Sequence, residues 1–125
     1  MVFKTSIRCT AAPKTWCFSF RFYEADHQRV NQYLSPEIYT CTNNRIHNFR
    51  LIGSQKYEED NTEPLQVHFI TRHNCSTLSE NTWRLVDLHY KEVQVEPQHQ
   101  KFRIRLDITD NGHVQKNLTF RDAFL

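Results

Sequence analysis

The chain has 125 residues, 38% of them hydrophobic and 13% aromatic (nine Phe, five Tyr and two Trp), enough for one domain with a core of rings and β-branched groups. Only two glycines argue against a Gly-rich phosphate loop, and sixteen Lys and Arg against fourteen Asp and Glu leave a net charge of +2, too mild to imply nucleic acid by itself. No apolar run approaches the ~18 residues of a membrane span, and the opening MVFKTSIRCTAAPKTW lacks the apolar core of a signal peptide, so a soluble, intracellular and cytoplasmic protein is expected, with secretion left open.

In chain order, Trp16, Phe20, Tyr23, His27, Val30 and Leu34 recur at steps of four and three, one stripe along a helix over residues 11–34. Thr10 would cap that helix and Pro13 suits its first turn. A second pattern competes, because Trp16, Phe18, Phe20 and Phe22 also alternate with period two. The helix is the preferred reading, with a break near Asp26. Ser35-Pro36 ends the segment, residues 37–41 read as a short strand, and Asn43-Asn44 turns the chain. Residues 45–55 fit a short helix or a strand, and residues 56–64 are an acidic, polar loop.

Residues 65–72 are a strand on the alternation of Leu65, Val67 and Phe69, followed by a polar loop over 73–81. The longest strand spans residues 83–95. Val86, Leu88 and Tyr90 share one parity there and Val93 and Val95 the other, so a β-bulge at Lys91-Glu92 is expected to restore a common face. In residues 101–108, Phe102, Ile104, Leu106 and Ile108 alternate with Lys101, Arg103, Arg105 and Asp107. Residues 113–121 resume the alternation after Asp110-Asn111-Gly112. A three-residue loop with left-handed Gly112 pairs Ile108 with Val114, Ile104 with Leu118 and Phe102 with Phe120, and leaves only Leu106 misfitted, facing Lys116.

These elements predict an α+β fold: an N-terminal helix packed in a strongly curved antiparallel sheet, arranged as a cone-like meander in a single domain over residues 1–125. The stretch FYEADHQRVNQYLSPEIY, in which Val30, Tyr33, Leu34, Ser35, Pro36 and Ile38 lead from a helix through Ser-Pro into a strand, resembles the common opening of the nuclear transport factor 2-like (cystatin-like) superfamily. The resemblance implies a pocket between helix and sheet. It leaves function open, because the superfamily holds isomerase-like and dehydratase-like enzymes as well as binding modules.

Three side chains are candidates for chemistry. His27 with Tyr23 would face such a pocket and serve acid-base catalysis, and an inward Lys116 would be desolvated and suited to proton transfer or to an acidic ligand. Phe102, Ile104, Leu106, Leu118 and Phe120 would line an apolar pocket, while Lys101, Arg103, Arg105 and Arg121 form a basic outer face able to meet phosphate or an acidic surface. His68, His73 and His89 have no spacing that demands a metal, so no metal and no cofactor is assigned. Cys9, Cys17, Cys41 and Cys75 show neither CxxC nor zinc spacing and read as four separate thiols, with disulfides the alternative; the acceptor patterns at Asn74 and Asn117 matter only in a secreted chain.

The reading reached is a non-catalytic binding or protein-interaction module with a small apolar pocket. The alternatives are a ketosteroid isomerase-like or dehydratase-like enzyme, and RNA or polyanion binding on the basic sheet face. The expected partner is a protein or a small apolar ligand, with neither nucleic acid nor membrane expected and a monomer or weak homodimer as the state.

Overall fold

The computed structural model describes residues 1–12, 14–25, 32–53, 65–78, 82–93 and 101–115, and over these residues the chain is all β. Its strands are β1 (Val2–Arg8), β2 (Trp16–Glu24), β3 (Gln32–Tyr33), β4 (Ile38–Thr42), β5 (Ile46–Ile52), β6 (Leu65–His73), β7 (Trp83–Val93), β8 (Lys101–Asp107) and β9 (His113–Gln115). A three-stranded sheet runs β5-β1-β8. A six-stranded sheet runs β3-β2-β6-β7-β9, with β4 also paired to β2 beside β3.

The expected N-terminal helix is overturned, and with it the α+β cone that the nuclear transport factor 2-like resemblance implied. The period-two pattern wins at β2, where Trp16, Phe18, Phe20 and Phe22 are all buried on one face. The helical stripe arose because Tyr23, on the other face, is buried too, so that Trp16, Phe20 and Tyr23 fall at steps of four and three alongside the period-two alternation. Ser35, expected to end a helix, instead clamps β2: its hydroxyl accepts the Phe22 N–H at 3.0 Å and its carbonyl accepts Arg21 Nε–H at 3.0 Å.

The strand readings fared better. Residues 37–41, the ambiguous 45–55 and 65–72 correspond to β4, β5 and β6, and the long strand is β7. A bulge is present, one position earlier than expected: Val67 pairs with Lys91 and His68 with His89, which leaves Tyr90 as the extra residue. The loop over residues 56–64 lies outside the described residues.

The hairpin register is also corrected. Gly112 is left-handed at φ 99°, as the turn requires, but Asp110-Asn111-Gly112 carries the chain from one sheet to the other. β8 pairs in parallel with β1, and β9 pairs with β7. The physical reason lies in β1: Phe3, Thr5 and Ile7 alternate with Lys4, Ser6 and Arg8, and so match the phase of Phe102, Ile104 and Leu106 in register.

The two sheets meet face to face through aromatic rings. Phe3 stacks on Phe22 at 4.0 Å and on Phe102 at 5.1 Å, while Phe49 reaches Phe18 and Phe20 at 5.7 and 5.3 Å. Both cysteine pairs are disulfides, which overturns the reading of four thiols. Cys9–Cys75 ties the end of β1 to the end of β6, and Cys17–Cys41 joins directly paired positions of β2 and β4.

Candidate functional site

The outer face of the three-stranded sheet is built by alternation. Because Phe3, Thr5 and Ile7 are buried, Lys4, Ser6 and Arg8 must point away from the core, and the same phase turns Asn48 and Arg50 of β5 and Lys101, Arg103 and Arg105 of β8 outward. Register then aligns them across the sheet. Arg50, Lys4 and Arg103 form one row, and Asn48, Ser6 and Arg105 form the next.

These two rows line a groove of about 420 Å³, with the backbone-level positions Thr5 and Phe49 between them. None of Lys4, Arg50, Arg103 or Arg105 has an ion-pair partner among the described residues. Neighbouring strands lie about 4.8 Å apart, so three like charges stand side by side, an arrangement that disfavours the folded sheet. The Ser6 hydroxyl donates to Asn48 Oδ1, which leaves the Asn48 amide N–H groups for other acceptors. At the far end Asp107 pairs in register with Arg8, and its carboxylate accepts the Thr109 N–H at 3.0 Å, so the cationic stretch stops there.

Of the basic residues named from the sequence, Lys101, Arg103 and Arg105 are exposed on this face, and Arg121 lies outside the described residues. Sequence reasoning missed Lys4 and Arg50. The signal for Lys4 was the alternation of VFKTSIR, and that for Arg50 the weaker alternation of His47, Phe49 and Leu51 with Asn48 and Arg50 in IHNFRLI, but their common row depends on strand pairings no local pattern carries.

The residues proposed to line an apolar pocket are spent in the core or undescribed. Phe102 and Ile104 are buried at 5% and 4% exposure, Leu106 packs against the core cluster, and Leu118 and Phe120 lie outside the described residues. His27 and Lys116 also lie outside them, so of the three candidate catalytic groups only Tyr23 is described. Tyr23 is buried and its hydroxyl donates to the Asp87 carboxylate; burial, and then that bond, push its pKa well up, which makes it a structural donor rather than a base. His68 and His89 pair across β6 and β7 with ring centres 4.8 Å apart, whereas His73 lies on the inner face, and no three metal-ligating side chains converge among the described residues.

His73 serves the fold. It is fully buried, its Nδ1 accepts the Cys75 N–H at 3.0 Å, and its Nε2–H therefore donates to the Asn111 carbonyl at 2.8 Å. Burial pushes its pKa down to about 4 against the pull of that carbonyl, so the ring is neutral.

The protein is thus an all-β, disulfide-linked module of two packed sheets with a basic groove on one outer face. Residues 4–118 match the family described as Caenorhabditis elegans protein of unknown function (DUF870), and the chain belongs to that family. No curated protein and no solved structure matches it. Among the described residues no helix is long and apolar enough to cross a membrane.

Proposed function

We propose that the chain is a non-catalytic binding module that takes an anionic ligand in the groove on the outer face of the three-stranded sheet. The observation that carries this reading is the row Arg50, Lys4, Arg103: three cations in register on adjacent strands with no carboxylate partner among the described residues. An arrangement that disfavours the free fold is compensated when an anion sits across it, and two arginines supply the planar donors that grip a carboxylate, sulfate or phosphate with two bonds each. The two disulfides support an oxidising compartment, outside the cell or in a secretory space, over the cytosol.

The test pairs two readouts on Lys4→Gln. Removing the central charge weakens binding of a polyanionic column or probe and makes it less salt-dependent, while it raises the melting temperature of the free protein by relieving repulsion. A variant that binds as the parent does, with the same response to salt, would falsify the reading.

A further inference from the structure

We propose that the ligand of this groove is an extended acidic polysaccharide lying along β1 and β8, its sulfate or carboxylate groups on Arg103, Arg105, Lys4 and Arg50 and its hydroxyls on Asn48. The inference rests on the anion-binding reading above and names the class of ligand.

The cations form a ladder rather than a single nest. Lys101, Arg103 and Arg105 occupy every second residue of β8, about 7 Å apart along the strand, and Lys4 and then Arg50 extend the row from Arg103 across the sheet in register. A single small anion touches only part of such a ladder, whereas a linear polymer runs its length. The second row answers a different chemistry. Asn48 and Ser6 place neutral donors and acceptors directly beside the charges, and the amide N–H groups of Asn48 suit a hydroxyl-bearing chain.

The competing macromolecules lack what they would need. Single-stranded nucleic acid is gripped by stacking bases on aromatic rings, and this face carries none: its described residues are Val2, Lys4, Ser6 and Arg8, then Ile46, Asn48, Arg50 and Ile52, then Lys101, Arg103, Arg105 and Asp107. Phe49 touches the groove, but its ring is turned to Phe18 and Phe20 in the core. Anionic lipid is concentrated on the cytoplasmic leaflet, the reducing side, where two disulfides would not persist.

The experiment titrates the full chain with heparin-derived oligosaccharides of increasing length, inorganic sulfate, a single-stranded oligonucleotide of equal charge and phosphatidylserine vesicles, each at several salt concentrations. The expected result is tightest binding to the longer oligosaccharides. Arg103→Ala should weaken every polyanion about tenfold or more, the loss of one charge-assisted contact, and lower the salt slope by about one. Asn48→Ala, checked for an unchanged melting curve, should weaken the oligosaccharide alone. Equal or tighter binding of the oligonucleotide or the vesicles, or an Asn48→Ala variant that loses nothing, overturns the polysaccharide assignment and leaves the anion site standing. Absence of salt-dependent binding to any of the probes overturns both.

Discussion

His73 makes the stability of this protein depend on pH in a window where a typical surface histidine would not. The ring is held neutral at the junction of the two sheets, accepting from Cys75 and donating to Asn111, beside the Cys9–Cys75 disulfide. In the unfolded chain it titrates near 6.5, and in the folded chain at about 4. Between those values the unfolded state binds a proton the folded state does not, so stability rises with pH and is lost as pH falls through the interval. At ~1.4 kcal/mol per pH unit the full interval is worth about 3 kcal/mol, a large share of a typical domain's ~5–15 kcal/mol. The assay is urea unfolding of the parent and of His73→Gln from pH 7.5 to pH 4. The variant is less stable at neutral pH, because it disturbs a filled site, but its deficit should shrink by about 3 kcal/mol on acidification. His47, also pushed down by burial, is present in both proteins and cancels. Asp110, held below its ordinary value chiefly by the Thr77 hydroxyl and N–H, loses its contribution only as pH falls through still lower values. Parallel stability curves for parent and variant would refute the argument.

Two further outcomes follow from the core. The Cys9–Cys75 bridge spans 66 residues and Cys17–Cys41 spans 24, so loop-closure entropy assigns them about 4 and about 3.5 kcal/mol. Cys9 and Cys75 are fully buried while Cys41 is exposed, so graded thiol reductant followed by alkylation and mass spectrometry should open Cys17–Cys41 first, and earlier opening of Cys9–Cys75 would contradict the burial argument. Thr5 Oγ1 is buried with no hydrogen-bond partner, on the core side of the same strand that carries Lys4. Thr5→Val keeps the shape and removes the orphan hydroxyl, so it should raise the urea midpoint by about 1 kcal/mol of stability; a lower midpoint would show that the hydroxyl is satisfied.

What the sequence made legible was the strands with one wet face. β6 alternates cleanly, and the bulge in β7 was visible as a change of parity, misplaced by one residue because Tyr90 itself is the extra residue and packs against the core cluster. β2 was misread because both its faces are largely buried, which erases the contrast that separates a strand from a helix. β8 was read as a strand, but its partner lies nearly a hundred residues earlier and runs parallel, so the nearby residues 113–121 offered a better local match than the real one. The disulfides carried no spacing signal for the same reason. Cys17 and Cys41 meet only because β2 and β4 pair, and Cys9 and Cys75 only because the sheets pack. Of the basic row only Arg103 was therefore in plain view, and Lys4 and Arg50 were brought beside it by topology.

That assembly also fixes how rigid the site is. Along the first part of β1 core and site residues alternate: Phe3 then Lys4, Thr5 then Ser6. A slip of one residue would bury Lys4 and expose Phe3, so the core that forbids the slip also sets the positions of the charges. The ends of the strand are tied as well, the Gly53 N–H bonding to the Met1 carbonyl at 2.8 Å at one end, and at the other Ile108 N–H bonding to the Arg8 carbonyl at 3.0 Å and Cys9 joining Cys75. The cations are thus carried by strands rather than loops, and an anion crossing the row meets donors whose backbone is already in place. Side-chain rotamers are all that binding has to order, which lowers its entropic cost. The same stiffness is why Lys4, Arg50 and Arg103 cannot relieve their repulsion by moving apart along the sheet. Only their flexible ends or a bound counter-charge can do so, and this links the instability of the unliganded row to its affinity for a polyanion.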